Sequence, residues 1–314
     1  MVVLTGGLAK AKIQARELSR SLLEIQLPAA RFMGLMNRAL PLHSLPIPKQ
    51  RVPTETNFFG LPPGAITAGG SLLACGGGIL PHEIYDEFSE IAGGSQGRLV
   101  LIPSAQSQEN FYALQARFSD WLKLPAKSLH FLDAVSRADA EASGFAEPLE
   151  DATGVWISGG EQGRLADLYR GTQVELGLRK VLERGGVVGG TSAGAAVLSQ
   201  TMIRESSGAA AVLDSGFGLS TTAIIDQHFT ERSRCTRLLG ALRQNPSLIG
   251  LGIDEQTAVV VRGNQLRVLG RNQVTIILPA KNRLQLLYTL CSGETAKLGA
   301  VAESLQASLQ LLFE

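Results

Sequence analysis

In Val187-Val188-Gly189-Gly190-Thr191-Ser192-Ala193-Gly194-Ala195-Ala196 an apolar run meets a small-residue helix start. Gly185 to Val188 reads as a buried strand, and Ala195 to Gln200 reads as a helix. Between them Gly190, Thr191, Ser192, Ala193 and Gly194 spell G-x-S-x-G, the pattern of a sharp strand-to-helix turn that lifts a serine hydroxyl above a sheet. The glycines let the backbone turn tightly and let a substrate approach without meeting a Cβ. The helix start behind Ser192 brings free N–H groups and a positive dipole end to the place where negative charge would develop. An ordinary glycine-rich turn with a capping serine has the same five residues, so the flanking chain carries the decision.

Outward from this turn, short apolar strands alternate with helical spacing. Leu72 to Cys75 runs into Gly76-Gly77-Gly78, and Arg98 to Pro103 ends in Ser104-Ala105-Gln106-Ser107. Phe111 to Leu122 has helical spacing, Ser128 to Leu132 is a strand, and Gly154 to Ser158 is another that ends in Gly159-Gly160. Leu165 to Glu183 is helical with a break at Gly171. The alternation predicts an α/β fold with a mostly parallel sheet and helices on both faces. Ligands in such sheets bind beyond the carboxyl ends of the strands, where Ser104, Gly160 and Ser192 would gather.

After the Ala-, Ser- and Gly-rich link from Met202 to Thr222, strands are expected at Ala223–Ile225, Leu248–Ile253, Ala258–Val261, Leu266–Leu269 and Val274–Leu278. Gly263-Asn264 and Arg271-Asn272 read as hairpin turns, which makes this end of the sheet antiparallel. Leu284 to Phe313 is apolar and helix-prone. Residues 66–314 are thus expected to form a single α/β hydrolytic domain. Residues 1–65 form a basic arm broken by prolines, in which an amphipathic helix fits Ala9–Ile25.

Composition excludes several classes. Of 314 residues 45% are hydrophobic and 18% charged, as in a globular domain with an ample core. The net charge of +1 gives no global pull toward nucleic acid or a membrane surface. It is uneven, since residues 1–51 hold eight Lys/Arg against two Glu, leaving 21 basic and 26 acidic residues in the remainder. Cys75, Cys235 and Cys291 are few, scattered and odd in number, which argues against a disulfide framework or a C-x-x-C zinc site and for a reducing, cytoplasmic setting. No apolar stretch approaches the ~20 residues of a membrane span.

A serine nucleophile needs a base, and histidine is the usual one at neutral pH. Of His43, His82, His130 and His228, the first lies in the arm and the third mid-strand, while His82 has no supporting neighbours. His228 follows a strand end in Asp226-Gln227-His228-Phe229 and opens a segment with Arg232, Arg234 and Arg237. These three arginines do not share one helical face, so they suit an irregular positive pocket wall as well as a solvated helix. A third group must orient the imidazole, and Asp254 and Glu255 both stand at the end of another predicted strand. The residues alone leave the choice between them open.

Gly189–Ala195, Ile225–Arg237, Gly250–Thr257 and Gly159-Gly160-Glu161-Gln162 together resemble the cyanophycinases, of the peptidase S51 group of serine hydrolases. The resemblance spans about residues 70 to 280 and implies an α/β sandwich akin to class I glutamine amidotransferases. It implies Ser192 as nucleophile, His228 as base and Glu255 as orienting acid. It also implies substrate contacts at Gln162, Asp226, Gln227, Arg232, Arg234 and Arg237, with no metal or organic cofactor. The backbone N–H groups of Gly160 and Ala193 are the candidates for an oxyanion hole. The implied substrate is cyanophycin, an aspartate polymer whose β-carboxyls carry arginine, cut to β-Asp-Arg dipeptides. In it, arginines would pair with carboxylates, and Asp226 or Glu161 would hold guanidinium groups. A homodimer is the expected assembly, with neither nucleic acid nor membrane as partner. The alternatives are an aspartyl dipeptidase of the same group and a non-catalytic binding relative. An α/β-hydrolase esterase shares the elbow but places its acid before its histidine, which would leave Glu255 idle.

Overall fold

The structure, a computed structural model, describes residues 2–4, 69–106, 111–207, 210–263, 265–278 and 286–297. Apart from Val2–Leu4, the predicted arm and its helix at Ala9–Ile25 lie outside these residues. The strands are β1 (Val2–Leu4), β2 (Ser71–Cys75), β3 (Arg98–Ile102), β4 (Ser128–Phe131), β5 (Gly154–Ile157) and β6 (Val187–Thr191), followed by β7 (Thr201–Ser207) and β8 (Ala210–Ser215). The chain continues through β9 (Ala223–Gln227), β10 (Ile249–Ile253), β11 (Thr257–Arg262), β12 (Gln265–Gly270), β13 (Gln273–Leu278), β14 (Leu286–Cys291) and β15 (Thr295–Lys297). The helices are α1 (His82–Ile91), α2 (Phe111–Arg117), α3 (Arg137–Glu141), α4 (Gln162–Tyr169), α5 (Gln173–Glu183), α6 (Ala193–Ala196) and α7 (Cys235–Gln244).

The expected α/β architecture is present, with one addition. An eight-stranded sheet has the order β15-β12-β11-β2-β6-β5-β3-β4. Its β2, β6, β5, β3 and β4 run parallel, and β11, β12 and β15 attach antiparallel at one end. A second sheet, β1-β14-β13-β10-β9, contains the parallel pair β9–β10. The parallel strands are apolar runs because both their faces are covered. Leu73, Cys75, Leu99, Leu101 and Trp156 face Ile84 and Phe88 of α1. Leu72, Ala74, Val100, Ile102, Val155 and Val188 face the other way, toward Leu165, Leu168, Leu178 and Val181 of α4 and α5 and toward Ile225, Leu251 and Ile253 of the second sheet. Burying a side chain as completely as Phe88 is worth about 1.5–3 kcal/mol relative to exposure.

Four local expectations give way. The helix read at Ala195–Gln200 is the short α6, which starts directly after Ser192. The Met202–Thr222 link is mostly the β7–β8 hairpin, whose Ile203, Ala211 and Leu213 pack on Leu238 and Leu242 of α7. Arg271-Asn272 is no hairpin, because β12 and β13 belong to different sheets and the chain crosses between them there. Within Leu284–Phe313, the described residues form β14 and β15 rather than helix. β14 completes its ladder along β13 from Gln273↔Cys291 to Leu278↔Leu286, and this pairing outweighs helix propensity. Among the described residues no helix is long and apolar enough to cross a membrane.

Candidate active site

Four strand ends meet at one point. β2 runs into Gly76-Gly77-Gly78, β6 into Ser192, β9 into His228, and β10 into the Asp254–Gln256 bend. The loop after β2 anchors the other three with successive carbonyls. Cys75 O accepts Ser192 N–H at 3.0 Å, Gly76 O accepts His228 N–H at 2.8 Å, and Gly77 O accepts Gln256 N–H at 2.8 Å. Sequence reasoning overlooked this role for the triple glycine, although its place at a strand end was the available signal. Gly77 has φ +111°, and a Cβ there would lie 2.3 Å from His228 Cε1, so the imidazole rests on bare backbone.

Ser192 has φ 52° and ψ −113°, a conformation costing a non-glycine residue about 1–3 kcal/mol. The Cys75 bond and the first turn of α6, in which Ser192 O accepts Ala195 and Ala196 N–H at 3.0 Å each, hold it there. Its Oγ lies 2.8 Å from His228 Nε2, and His228 Nδ1 lies 2.5 Å from Glu255 Oε1. Burial lowers the His228 pKa, opposed by the hydrogen bond to Glu255, with Arg232 and Arg234 adding to the lowering. The ring is therefore neutral near pH 7, able to accept at Nε2 while Nδ1–H donates to Glu255.

The two carboxylates on the bend face different ways. Asp254 is buried and accepts Thr230 N–H at 3.0 Å, and burial pushes its carboxyl up. The Glu255 main chain is fixed instead by its N–H on Glu231 Oε1 at 3.0 Å and by its carbonyl, which accepts from Asn272 Nδ2 at 2.9 Å. Glu255 thereby reaches the imidazole and Asp254 does not.

The arginine segment is graded by burial. Asp226 is fully enclosed; its carboxylate takes Arg237 Nε at 2.8 Å and Nη2, with Arg234 Nη1 at 3.4 Å. Arg237 is also buried and reaches Ser206 Oγ on β7 at 2.7 Å. Arg234 is part-buried and donates to the carbonyl of the buried Gln227 at 2.5 Å. Burial, then the neighbouring Arg237, pull the Arg234 guanidinium down to about 10, still charged at neutral pH. Arg232 is exposed. Gln162 spends its amide N–H groups on the carbonyls of Ile203 and Arg204 of β7, at 2.9 and 2.8 Å. The Gly159–Gly160 turn lies against Ser192, since a Cβ on Gly159 would sit 3.3 Å from Ser192 Cβ. Ala193, the other candidate donor, opens α6, so its N–H has no intrahelical acceptor.

Residues 72–269 match the model of Peptidase family S51. The chain belongs to peptidase family S51. Within it the chain is 36% identical over 218 residues to a cyanophycinase of Geminocystis herdmanii, covering 66% of this chain and 80% of that protein. A cyanophycinase of Synechococcus elongatus is 35% identical over 222 residues, covering 67% and 68%. Among solved structures, a peptidase from an acI-B1 Actinobacterium superposes with a TM-score of 0.59 at 26% identity, covering 73% of this chain and 98% of that one. The family membership makes the chain a serine peptidase, a hydrolase.

Proposed function

We propose that this S51 peptidase hydrolyses cyanophycin-type aspartyl-arginine polymers to β-Asp-Arg dipeptides through Ser192, His228 and Glu255. The observation that carries the reading is the unbroken run of hydrogen bonds from Ser192 Oγ, through both imidazole nitrogens, to the Glu255 carboxylate. As Ser192 Oγ attacks the backbone carbonyl, His228 Nε2 takes its proton, and Glu255 stabilises the imidazolium. The proton then passes to the leaving amine, and water repeats the sequence on the acyl-enzyme. The oxyanion falls to the N–H groups of Ala193 and Gly160, each donor worth ~3–4 kcal/mol of barrier.

The substrate assignment rests on the cyanophycinases at 35–36% identity and on the charge of the wall beside His228. Exposed Arg232 and part-buried Arg234 are the groups we assign to substrate carboxylates. Arg237 and Asp226 serve by holding that wall, because their polar atoms are already paired. With Asp226 enclosed, exposed Glu161, next to Gly160, is the carboxylate assigned to a substrate guanidinium.

Incubating the full chain with cyanophycin and with a panel of α- and β-aspartyl peptides tests the reading. The expected outcome is release of β-Asp-Arg, absent in a folded Ser192→Ala protein. Arg232→Ala or Arg234→Ala should lower kcat/KM on β-Asp-Arg peptides by roughly 10–150-fold, since a charge-assisted pair is worth about 1.5–3 kcal/mol. Turnover confined to peptides with an N-terminal aspartate would instead make this chain an aspartyl dipeptidase.

A further inference from the structure

A second set of polar groups lies at the carboxyl end of β3, separated by β5 from the β6 strand that runs into Ser192. Ser104, directly after β3, is fully buried, and its hydroxyl donates to Asp133 Oδ1 at 2.8 Å. Its oxygen lies 2.6 Å from the hydroxyl of Tyr169, the last residue of α4, which is also fully buried. Ala134 N–H reaches both hydroxyl oxygens at 3.1 Å. Arg164, also on α4, donates from Nε to Ser104 O at 2.9 Å and from Nη2 to Val135 O at 3.2 Å. The turn at Ser104 is thus tied to the segment after β4 and to α4 through side chains in which every hydroxyl is satisfied.

That turn ends at the nucleophile. Ala105 O accepts Glu161 N–H at 2.7 Å, and Gly160 runs at φ +150° so close that a Cβ would lie 2.3 Å from Ala105 O. Gln106 Nε2 donates to Gly159 O at 3.2 Å, and Gly159 packs on Ser192. The circuit closes on itself: the far end of α4 fixes the Ser104–Ala105 turn, which fixes the glycines at the near end of α4. Apolar side chains could fill the same volume at comparable stability. A satisfied polar network additionally specifies one backbone position.

We propose that Ser104, Tyr169 and Asp133 are positioning residues for the Gly160 N–H, setting its distance from the oxygen that develops charge during attack by Ser192. The inference rests on the reading of Gly160 as an oxyanion donor. Misplacing a reacting group by about 1 Å costs on the order of 10²-fold in rate, so loss of one hydroxyl from the network should cost about tenfold.

The test is steady-state kinetics on a β-Asp-Arg peptide for Tyr169→Phe, Gly160→Ala and the double variant, with thermal unfolding measured for each. Tyr169→Phe keeps the ring and removes only the hydroxyl. Its kcat should fall about tenfold with KM within about twofold of the parent. The double variant should be no slower than Gly160→Ala, because both changes act on one donor. A wild-type kcat in Tyr169→Phe, beside an impaired Gly160→Ala, would overturn the positioning role and leave the donor assignment standing. Losses that multiply fully, or a KM that rises with kcat unchanged, would overturn it too. A wild-type kcat in Gly160→Ala would remove the donor assignment and the positioning role together. Should Gly160→Ala not fold, the split between kcat and KM in Tyr169→Phe decides alone.

Discussion

At the scale of single residues, the proposed triad ties the working pH to the environment of His228. In that proposal its neutral form accepts the Ser192 proton, so kcat/KM should rise with pH as the ring loses its proton. Burial, the largest influence, places that rise below the ordinary imidazole value of 6.5. The partners act in opposite directions. Arg232 disfavours the imidazolium, so Arg232→Ala should move the acid limb to higher pH. Glu255 favours it, so Glu255→Gln should move the limb lower while slowing the reaction overall. Rates of Ser192 acylation by a small uncharged acyl probe, measured against pH, check both without depending on how substrate charge is read. Displacement of both limbs in the same direction would contradict this account. The residue pattern alone could not choose between Asp254 and Glu255, which differ by one position on a bend. Thr230 N–H holds the Asp254 carboxylate away from the ring, which supports Glu255 as the proposed orienting acid.

At the scale of elements, the segment from β9 into α7 combines the proposed pocket wall with structural support in one run of charges. Asp226 and Arg237 form a buried pair, whereas Arg232 is exposed. Removing one member of a buried pair typically costs ~3–5 kcal/mol, because the partner is left buried without compensation. Arg237→Ala should lie near the low end of that range, since Arg234 still approaches Asp226 at 3.4 Å. Arg232→Ala should change stability by no more than about 0.5 kcal/mol. Urea unfolding followed by circular dichroism separates them. Equal stabilities for the two variants would mean that the Asp226–Arg237 pair does not hold this segment. In sequence these arginines are equivalent letters at close spacing. Their ranking comes from the distance of each from one enclosed carboxylate, which depends on how α7 docks on the second sheet.

At the scale of the whole molecule, the family match over residues 72–269 leaves residues 1–65 outside it. Among the described residues Val2–Leu4 pairs with β14, at the edge of the second sheet far in strand order from β9 and β10. We propose that the arm lends an edge strand to the second sheet and takes no part in the hydrolytic site. Deleting residues 1–65 should leave hydrolysis of a β-Asp-Arg peptide within a few-fold of the full chain. A loss as deep as that of Ser192→Ala would show that the arm completes the site. The sequence by itself determined the α/β class, the parallel order of strands into the Ser192 elbow, and membership of a serine peptidase family. Those features follow from local apolar runs, glycine turns and linked motifs, all legible along the chain. Only the tertiary structure decided that the antiparallel end divides into two sheets, because Arg271-Asn272 and the Asp254–Gln256 bend look like ordinary turns until their strands find partners. The same crossing turns Glu255 toward His228, lays the imidazole on Gly77 and encloses Asp226 beneath two arginines. Each of these contacts joins residues distant in the chain, and long-range packing rather than local propensity selects them.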